Sequence, residues 1–310
     1  MGKIALVFPG QGSQYVGMGK DLYDQYPEAR VVFEEADQVL GQKISDTCFN
    51  GPEMILKDTR NAQPAILTTS VAAFRVLTAA GVRPDFVAGH SLGEYSALVA
   101  VGAITFSDAL CLVKKRSNLM AEADPAGNGT MAAILGLERE AVINIMAEAA
   151  DAGRVEAANF NCPGQVVVSG EKAGMVKVQA LTAEQGGKFI PLAVSGPFHS
   201  SFMKEAAETF RTDLNSINWI DPQMPLIANV SASPVSAANM VQSLYQQLFS
   251  SVLWEDTVRR LHQEGVKVFV EVGPGKVLTG LIKKTLKEAT LLNCEDSGSL
   301  KKALAILKEV

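Results

Sequence analysis

The sequence predicts an α/β fold: a core built on a parallel sheet, with a smaller α+β subdomain inserted into it. Three observations carry this. The continuously apolar runs Ile4-Ala5-Leu6-Val7-Phe8 and Phe86-Val87-Ala88 read as buried parallel strands separated by helical material. Val87-Ala88-Gly89-His90-Ser91-Leu92-Gly93-Glu94-Tyr95 reads as a strand, a sharp turn and the start of a helix. From Thr130 to Val194 the element order changes to βαββαβ, after which strands and helices alternate again.

Taken in order, Lys3 to Pro9 is the first strand, and it runs into Pro9-Gly10-Gln11-Gly12-Ser13-Gln14. Ligands bind at the C-terminal edge of open parallel sheets, where this loop falls. Gln11 lies between two glycines, so its backbone can approach a ligand; a plain turn is the other reading. The loop lacks the lysine of a P-loop. Residues 17–60 read as short helices. Asn61 to Ala80 is a long helix, with Pro64 near its start and Gly81 at its end. The Phe86 strand follows, then buried helical sequence from Glu94 to Ala103 and a helix from Phe106 to Met120.

The inserted part reads as a strand at Met131–Leu137, a helix at Glu138–Ala152, strands at Val155–Asn159 and Gln165–Ser169, a helix at Lys172–Glu184 and a strand at Lys188–Val194. That order is the ferredoxin-like arrangement. Residues 128–196 are therefore assigned to the insert, and 1–127 with 197–310 to the large domain. Beyond it come a helix at Met203–Leu214, a strand at Pro225–Val230, helices at Val241–Leu248 and Trp254–Glu264, and the strand Val266–Val272. That last strand ends in Gly273-Pro274-Gly275-Lys276, which reads as a turn at the active edge.

Gly89-His90-Ser91-Leu92-Gly93 has the form G-x-S-x-G. A serine at the tip of a tight strand-to-helix turn is held in strained backbone, and glycine two before and two after it relieves the crowding. On a parallel sheet this is the nucleophile elbow of an α/β-hydrolase-like core. The following helix aims free N–H groups and its positive dipole end at the serine oxygen.

Composition narrows the field. The 310 residues are 47% hydrophobic, enough for a large core, and the net charge is −5 with no long basic run. Nucleic-acid binding is excluded as the main task. No apolar span reaches transmembrane length, and Met1-Gly2-Lys3-Ile4 goes directly into a strand, with no signal-peptide pattern. Cys48, Cys111, Cys162 and Cys294 are widely separated, which predicts a reducing cytoplasm and no metal site.

A serine needs a base. Of the three histidines, His90 should point away from Ser91 across the turn, and His262 lies in a polar helix beside Arg259, Arg260, Gln263 and Glu264. His199, in a Gly-Pro loop at a domain junction, is the base by elimination. The group that orients it is either an acid or a backbone carbonyl, since any acceptor on the second ring nitrogen fixes the tautomer. Arg116 interrupts the apolar stripe Ala109, Leu112, Val113, Leu119 and Met120. A guanidinium there needs an anionic partner. That partner is either a structural carboxylate or the carboxylate of a substrate.

Five motifs in order give the chain a specific resemblance. They are Phe8-Pro9-Gly10-Gln11-Gly12-Ser13-Gln14, Gly89-His90-Ser91-Leu92-Gly93-Glu94-Tyr95, Asn159-Phe160-Asn161-Cys162-Pro163-Gly164-Gln165, Gly196-Pro197-Phe198-His199-Ser200 and Glu271-Val272-Gly273-Pro274-Gly275-Lys276-Val277-Leu278. Over nearly its whole length the sequence resembles the malonyl-CoA:acyl carrier protein transacylases of bacterial type II fatty acid synthesis. The resemblance implies that Ser91 carries the malonyl group, that His199 is the base and that the N–H groups of Gln11 and Leu92 form the oxyanion hole. It implies that Arg116 binds the malonyl carboxylate and that Phe198 disfavours branched acyl chains. It also implies that Gln247 orients the histidine through its backbone carbonyl, although the usual proline of that segment is Ser251 here. The implied partners are malonyl-CoA as substrate and holo acyl carrier protein, with no cofactor, no membrane and a monomeric enzyme. Lys283, Lys284 and Lys287 form a basic cluster that suits an acidic carrier protein.

Overall fold

The computed structural model describes residues 2–194 and 196–308. Met1, Glu309 and Val310 lie outside the described residues, as does Ser195 in the return from the insert. The strands are β1 (Lys3–Phe8), β2 (Phe86–Gly89), β3 (Gly129–Leu135), β4 (Val155–Cys162), β5 (Gln165–Glu171), β6 (Lys188–Pro191), β7 (Leu226–Ile227), β8 (Val266–Val272) and β9 (Thr290–Cys294). They form a five-stranded sheet in the order β7-β2-β1-β8-β9 and a four-stranded sheet in the order β4-β5-β3-β6. The first is parallel at every pairing and the second antiparallel at every pairing.

Alternation along β1 sets the layers of the large sheet. Leu6 and Phe8 face a core shared with the helices Pro27–Leu40, Thr59–Ala79 and Phe106–Glu122. Ala5 and Val7 face the opposite core, covered by Trp254, Val258 and Leu261 of one helix and Leu278 and Ile282 of another. Both faces are buried, which explains why β1 and β2 read as unbroken apolar runs. The small sheet has its own core. Ala132 and Ile134 of β3 and Val166 and Val168 of β5 pack on Val142, Ile145, Met175 and Val178 of two helices.

Some expected boundaries move. The strand predicted at Pro225–Val230 is only the two residues of β7, because the chain turns back on itself: Ala232 N–H bonds Ala228 C=O, with Ala232 at φ 48°. The strand predicted to reach Val194 stops at Pro191, where the pairing of β6 with Ala132 ends. The turn at Gly273-Pro274-Gly275 is present at the end of β8, with φ of 132° and 78° at its glycines.

Candidate active site

The site is built where β1 and β2 end side by side. Phe8 pairs with Gly89, and His90 N–H donates to Phe8 C=O at 3.0 Å. The chain then turns sharply. Ser91 has φ 51°, a left-handed conformation that an L-residue adopts only under strain. The flanking glycines make the turn possible. A Cβ on Gly89 would fall 2.0 Å from Gly93 backbone, and one on Gly93 would fall 2.0 Å from Phe8 C=O. Asn229, just past β7, pins the turn from outside: its Oδ1 accepts from Ser91 N–H at 2.7 Å and its Nδ2 donates to Gly89 C=O at 2.6 Å.

Ser91 Oγ lies 2.7 Å from His199 Nε2. His199 is also in left-handed backbone, at φ 55°. Its Nδ1 lies 2.8 Å from Gln247 C=O. A carbonyl only accepts, so the proton is on Nδ1 and Nε2 is free to accept from the serine. The alternative of an acid in this place is thereby resolved in favour of the backbone carbonyl. Burial, and then the positive charge of Arg116, pull the His199 imidazole down to about 3, so it is neutral at ordinary pH.

Arg116 is completely buried on the helix Phe106–Glu122. Its Nη1 donates to Gln63 Oε1 at 2.6 Å, and its Nη2 donates to Ser91 Oγ at 3.1 Å and to Gln247 Oε1 at 3.0 Å. Its Nε has no partner. A structural carboxylate was one expectation for this charge, and the structure corrects it. No ion pair reaches Arg116 among the described residues; neutral amide oxygens hold it, through charge-assisted bonds.

Ser91, Leu92, Gln11, Arg116, Phe198 and His199 line one cavity of about 370 Å³. Met131 and Asn159 of the four-stranded sheet, with Leu192 and Val194 just past β6, line its other side. Among the described residues nothing accepts from the Gln11 or Leu92 N–H. The Gln11 side chain is held aside, its Nε2 donating to Thr59 Oγ1 at 3.0 Å. Gln247 is buried behind this cavity. His90 turns from the serine to the insert, with Nε2 2.8 Å from Asn161 Oδ1. His262 is exposed. Every residue predicted for the site is thus in one place.

Sequence reading missed Gln63, Asn229 and the buried Glu94. The available signals were faint: Gln63 is a polar residue just before the run Pro64-Ala65-Ile66-Leu67, and Asn229 a polar residue at the C-terminal edge of a sheet strand. Among the described residues no group of His, Cys, Asp or Glu is placed to hold a metal ion, and no helix is long and apolar enough to cross a membrane.

A strained serine on a parallel-sheet elbow, bonded to a carbonyl-oriented histidine, defines a serine-dependent acyl-transfer site. The signature of the acyl transferase domain family matches residues 5–306, and the chain belongs to that family. Within it, similar chains include malonyl CoA-acyl carrier protein transacylases. The enzyme of that name from Bacillus subtilis (strain 168) is 48% identical over 312 residues, covering 100% of this chain and 98% of its own. The crystal structure of the one from Clostridium perfringens superposes with a TM-score of 0.96 at 41% identity, covering 99% of this chain and 98% of that one. A structure of a type II PKS acyl-carrier protein in complex with its malonyl-transacylase matches with a TM-score of 0.95 at 41% identity, covering 98% of this chain and 99% of that one.

Proposed function

We propose that this chain moves a malonyl group from malonyl-CoA to the phosphopantetheine thiol of acyl carrier protein, through a malonyl ester on Ser91, in fatty acid biosynthesis. The observation that carries the reading is the buried Arg116 guanidinium, bonded to the same Ser91 Oγ that lies beside His199. A serine hydrolase of neutral esters has no use for that charge. An acyl group ending in a carboxylate does.

In the first half-reaction His199 Nε2 takes the Ser91 proton as Oγ attacks the thioester carbonyl. The Gln11 and Leu92 N–H groups receive the oxyanion. The carbon–sulfur bond breaks, and His199 returns the proton to the departing CoA thiolate. In the second half the carrier thiol gives its proton to His199 and attacks the ester; Ser91 leaves and regains the proton. Arg116 holds the malonyl carboxylate throughout, and Phe198 narrows the acyl pocket. No cofactor enters these steps.

We read the whole as an α/β-hydrolase-like domain of residues 1–127 and 197–310, with 128–196 as a ferredoxin-like insert. The antiparallel order β4-β5-β3-β6 supports the second part. A monomeric enzyme is part of this reading. Holo carrier protein is the partner, and a reducing cytoplasm suits the free cysteines. The test is transfer of labelled malonyl from malonyl-CoA to holo carrier protein. Label on the carrier supports the reading; release as free malonate at the same rate with or without carrier would favour a hydrolase.

A further inference from the structure

Two carboxylates are buried to 1% exposure or less among the described residues, Glu271 and Glu94. Glu271 has an evident structural task. Its oxygens accept from Leu278 N–H at 3.0 Å and Thr279 N–H at 2.7 Å, closing the N-terminus of the helix Val277–Thr285. Glu94 has no comparable one. It lies in the first turn of the helix Gly93–Ala100, directly beneath Ser91, and its Oε1 has no partner.

Its other oxygen, Oε2, accepts from Gln247 Nε2 at 2.7 Å and from Asn229 N–H at 3.2 Å. Those two neighbours hold the rest of the site. Gln247 also donates to Ser91 C=O at 3.0 Å, accepts from Arg116 Nη2 at 3.0 Å and presents its backbone carbonyl to His199 at 2.8 Å. Asn229 grips Ser91 N–H and Gly89 C=O. We propose that Glu94 is a positioning residue for malonyl transfer: through Gln247 and Asn229 its carboxylate fixes Arg116, the Ser91 turn and the carbonyl that holds His199. The proposal rests on the roles given above to those three residues.

The chemistry requires an acid there rather than an amide. An ionised carboxylate only accepts, so it draws the Gln247 NH2 toward itself and leaves Gln247 Oε1 for Arg116. A flipped carboxamide would point donors at guanidinium donors. A protonated Glu94, or a glutamine in its place, leaves only Ser91 C=O and Arg116 to oppose that flip. Glu94 also supplies negative charge near Arg116, whose direct partners are all neutral. Arg116 on the helix Phe106–Glu122 and Tyr95 on its own helix are the ionisable groups that face Glu94. Gln247 and Asn229 do not titrate. Lys3 of β1 and Arg60 and Arg75 of the helix Thr59–Ala79 are exposed. Burial pushes the Glu94 carboxyl up to about 7, with Gln247, Asn229 and Arg116 opposing. His199 is already neutral well below that pH.

The test is kcat/KM for malonyl-CoA between pH 5.5 and 9, for wild type and Glu94→Gln, with thermal unfolding of both. The variant keeps shape and the two accepted bonds but removes the charge. Wild type should lose rate as the pH falls through about 7. Glu94→Gln should be slower at pH 8 by about tenfold or more, the scale of a hydrogen bond to a charged group. It should also lack that acid limb and, at pH 8, unfold no lower than wild type. Wild-type kcat/KM with an unchanged pH profile in the variant would overturn the proposal. So would a loss of rate matched by a loss of thermal stability. If wild type itself gained no malonyl group in this assay, the reading of the site would fail, whatever the variant did.

Discussion

Arg116 donates a hydrogen bond from Nη2 to Ser91 Oγ, at 3.1 Å. The charge proposed to hold the far end of the acyl group therefore also touches the oxygen proposed to carry it. A cationic donor at that oxygen favours the alkoxide as its proton leaves for His199.

Removing that charge should separate carboxylated from plain acyl groups. Arg116→Ala should cost roughly 3–5 kcal/mol in kcat/KM for malonyl-CoA, the range for breaking a buried charge pair. Acetyl-CoA should lose much less. Arg116→Lys should recover only part of the loss, because an ammonium cannot serve Gln63, Gln247, Ser91 and a carboxylate as a planar fork does. Equal losses for both substrates, with lower thermal stability, would make Arg116 a structural residue only.

The two buried titrating groups should pull stability in opposite directions with pH. His199 binds its proton at 6.5 when unfolded but only at about 3 when folded. Its contribution is full above 6.5 and is lost as the pH falls toward 3. Glu94 is the reverse: raised from 4.5 to about 7, it favours the folded state below 4.5 and loses this as the pH rises through 7. Relative to wild type, His199→Gln should gain stability between pH 6.5 and pH 5, and Glu94→Gln should lose it. Denaturant unfolding at both pH values reads this directly, and parallel slopes in all three proteins would refute it. In activity, His199→Ala should cost about three decades or more, since nucleophile and base act as a unit. His262→Ala should cost nothing.

Gly93→Ala should fail through the backbone rather than the chemistry. Its Cβ would meet Phe8 C=O at 2.0 Å, and the strand end cannot move without shifting Gly10 and Gln11. We expect a destabilised protein with little activity. An alanine variant with wild-type unfolding would mean the elbow is looser than this geometry.

Lys283, Lys284 and Lys287 are exposed along and just beyond the helix Val277–Thr285, and Lys284 Nζ reaches Gln165 Oε1 of the insert at 3.4 Å. Charge reversal at Lys283 and Lys287 should raise KM for carrier protein and spare the malonyl-CoA half-reaction. Equal damage to both halves would remove this face as the docking surface.

What the sequence made legible was local. The elbow declared itself because strand, strained serine, glycine pair and helix are contiguous, and the four-stranded sheet because its elements follow one another in order. Gln247 and His199 are 48 residues apart, and their contact was named only through the family resemblance. Gln63 and Asn229 escaped notice because nothing local distinguishes a polar residue that meets a site from one that meets water. Arg116 was legible as a buried charge, but its partners were not. A structural carboxylate was one of its two readings, and in that place the fold brings amide oxygens from two distant helices. The pairing of β7 ended early for a similar reason: the turn at Ala228–Ala232 depends on a bond that no spacing announces.

The most direct test of the central claim is the intact mass of the protein after brief exposure to malonyl-CoA, with the modified peptide sequenced. Wild type should gain one malonyl group on Ser91 and lose it on addition of holo carrier protein, while Ser91→Ala stays unmodified and folded. A malonyl group acquired by Ser91→Ala at the wild-type rate, or found on another residue of wild type, would contradict the account.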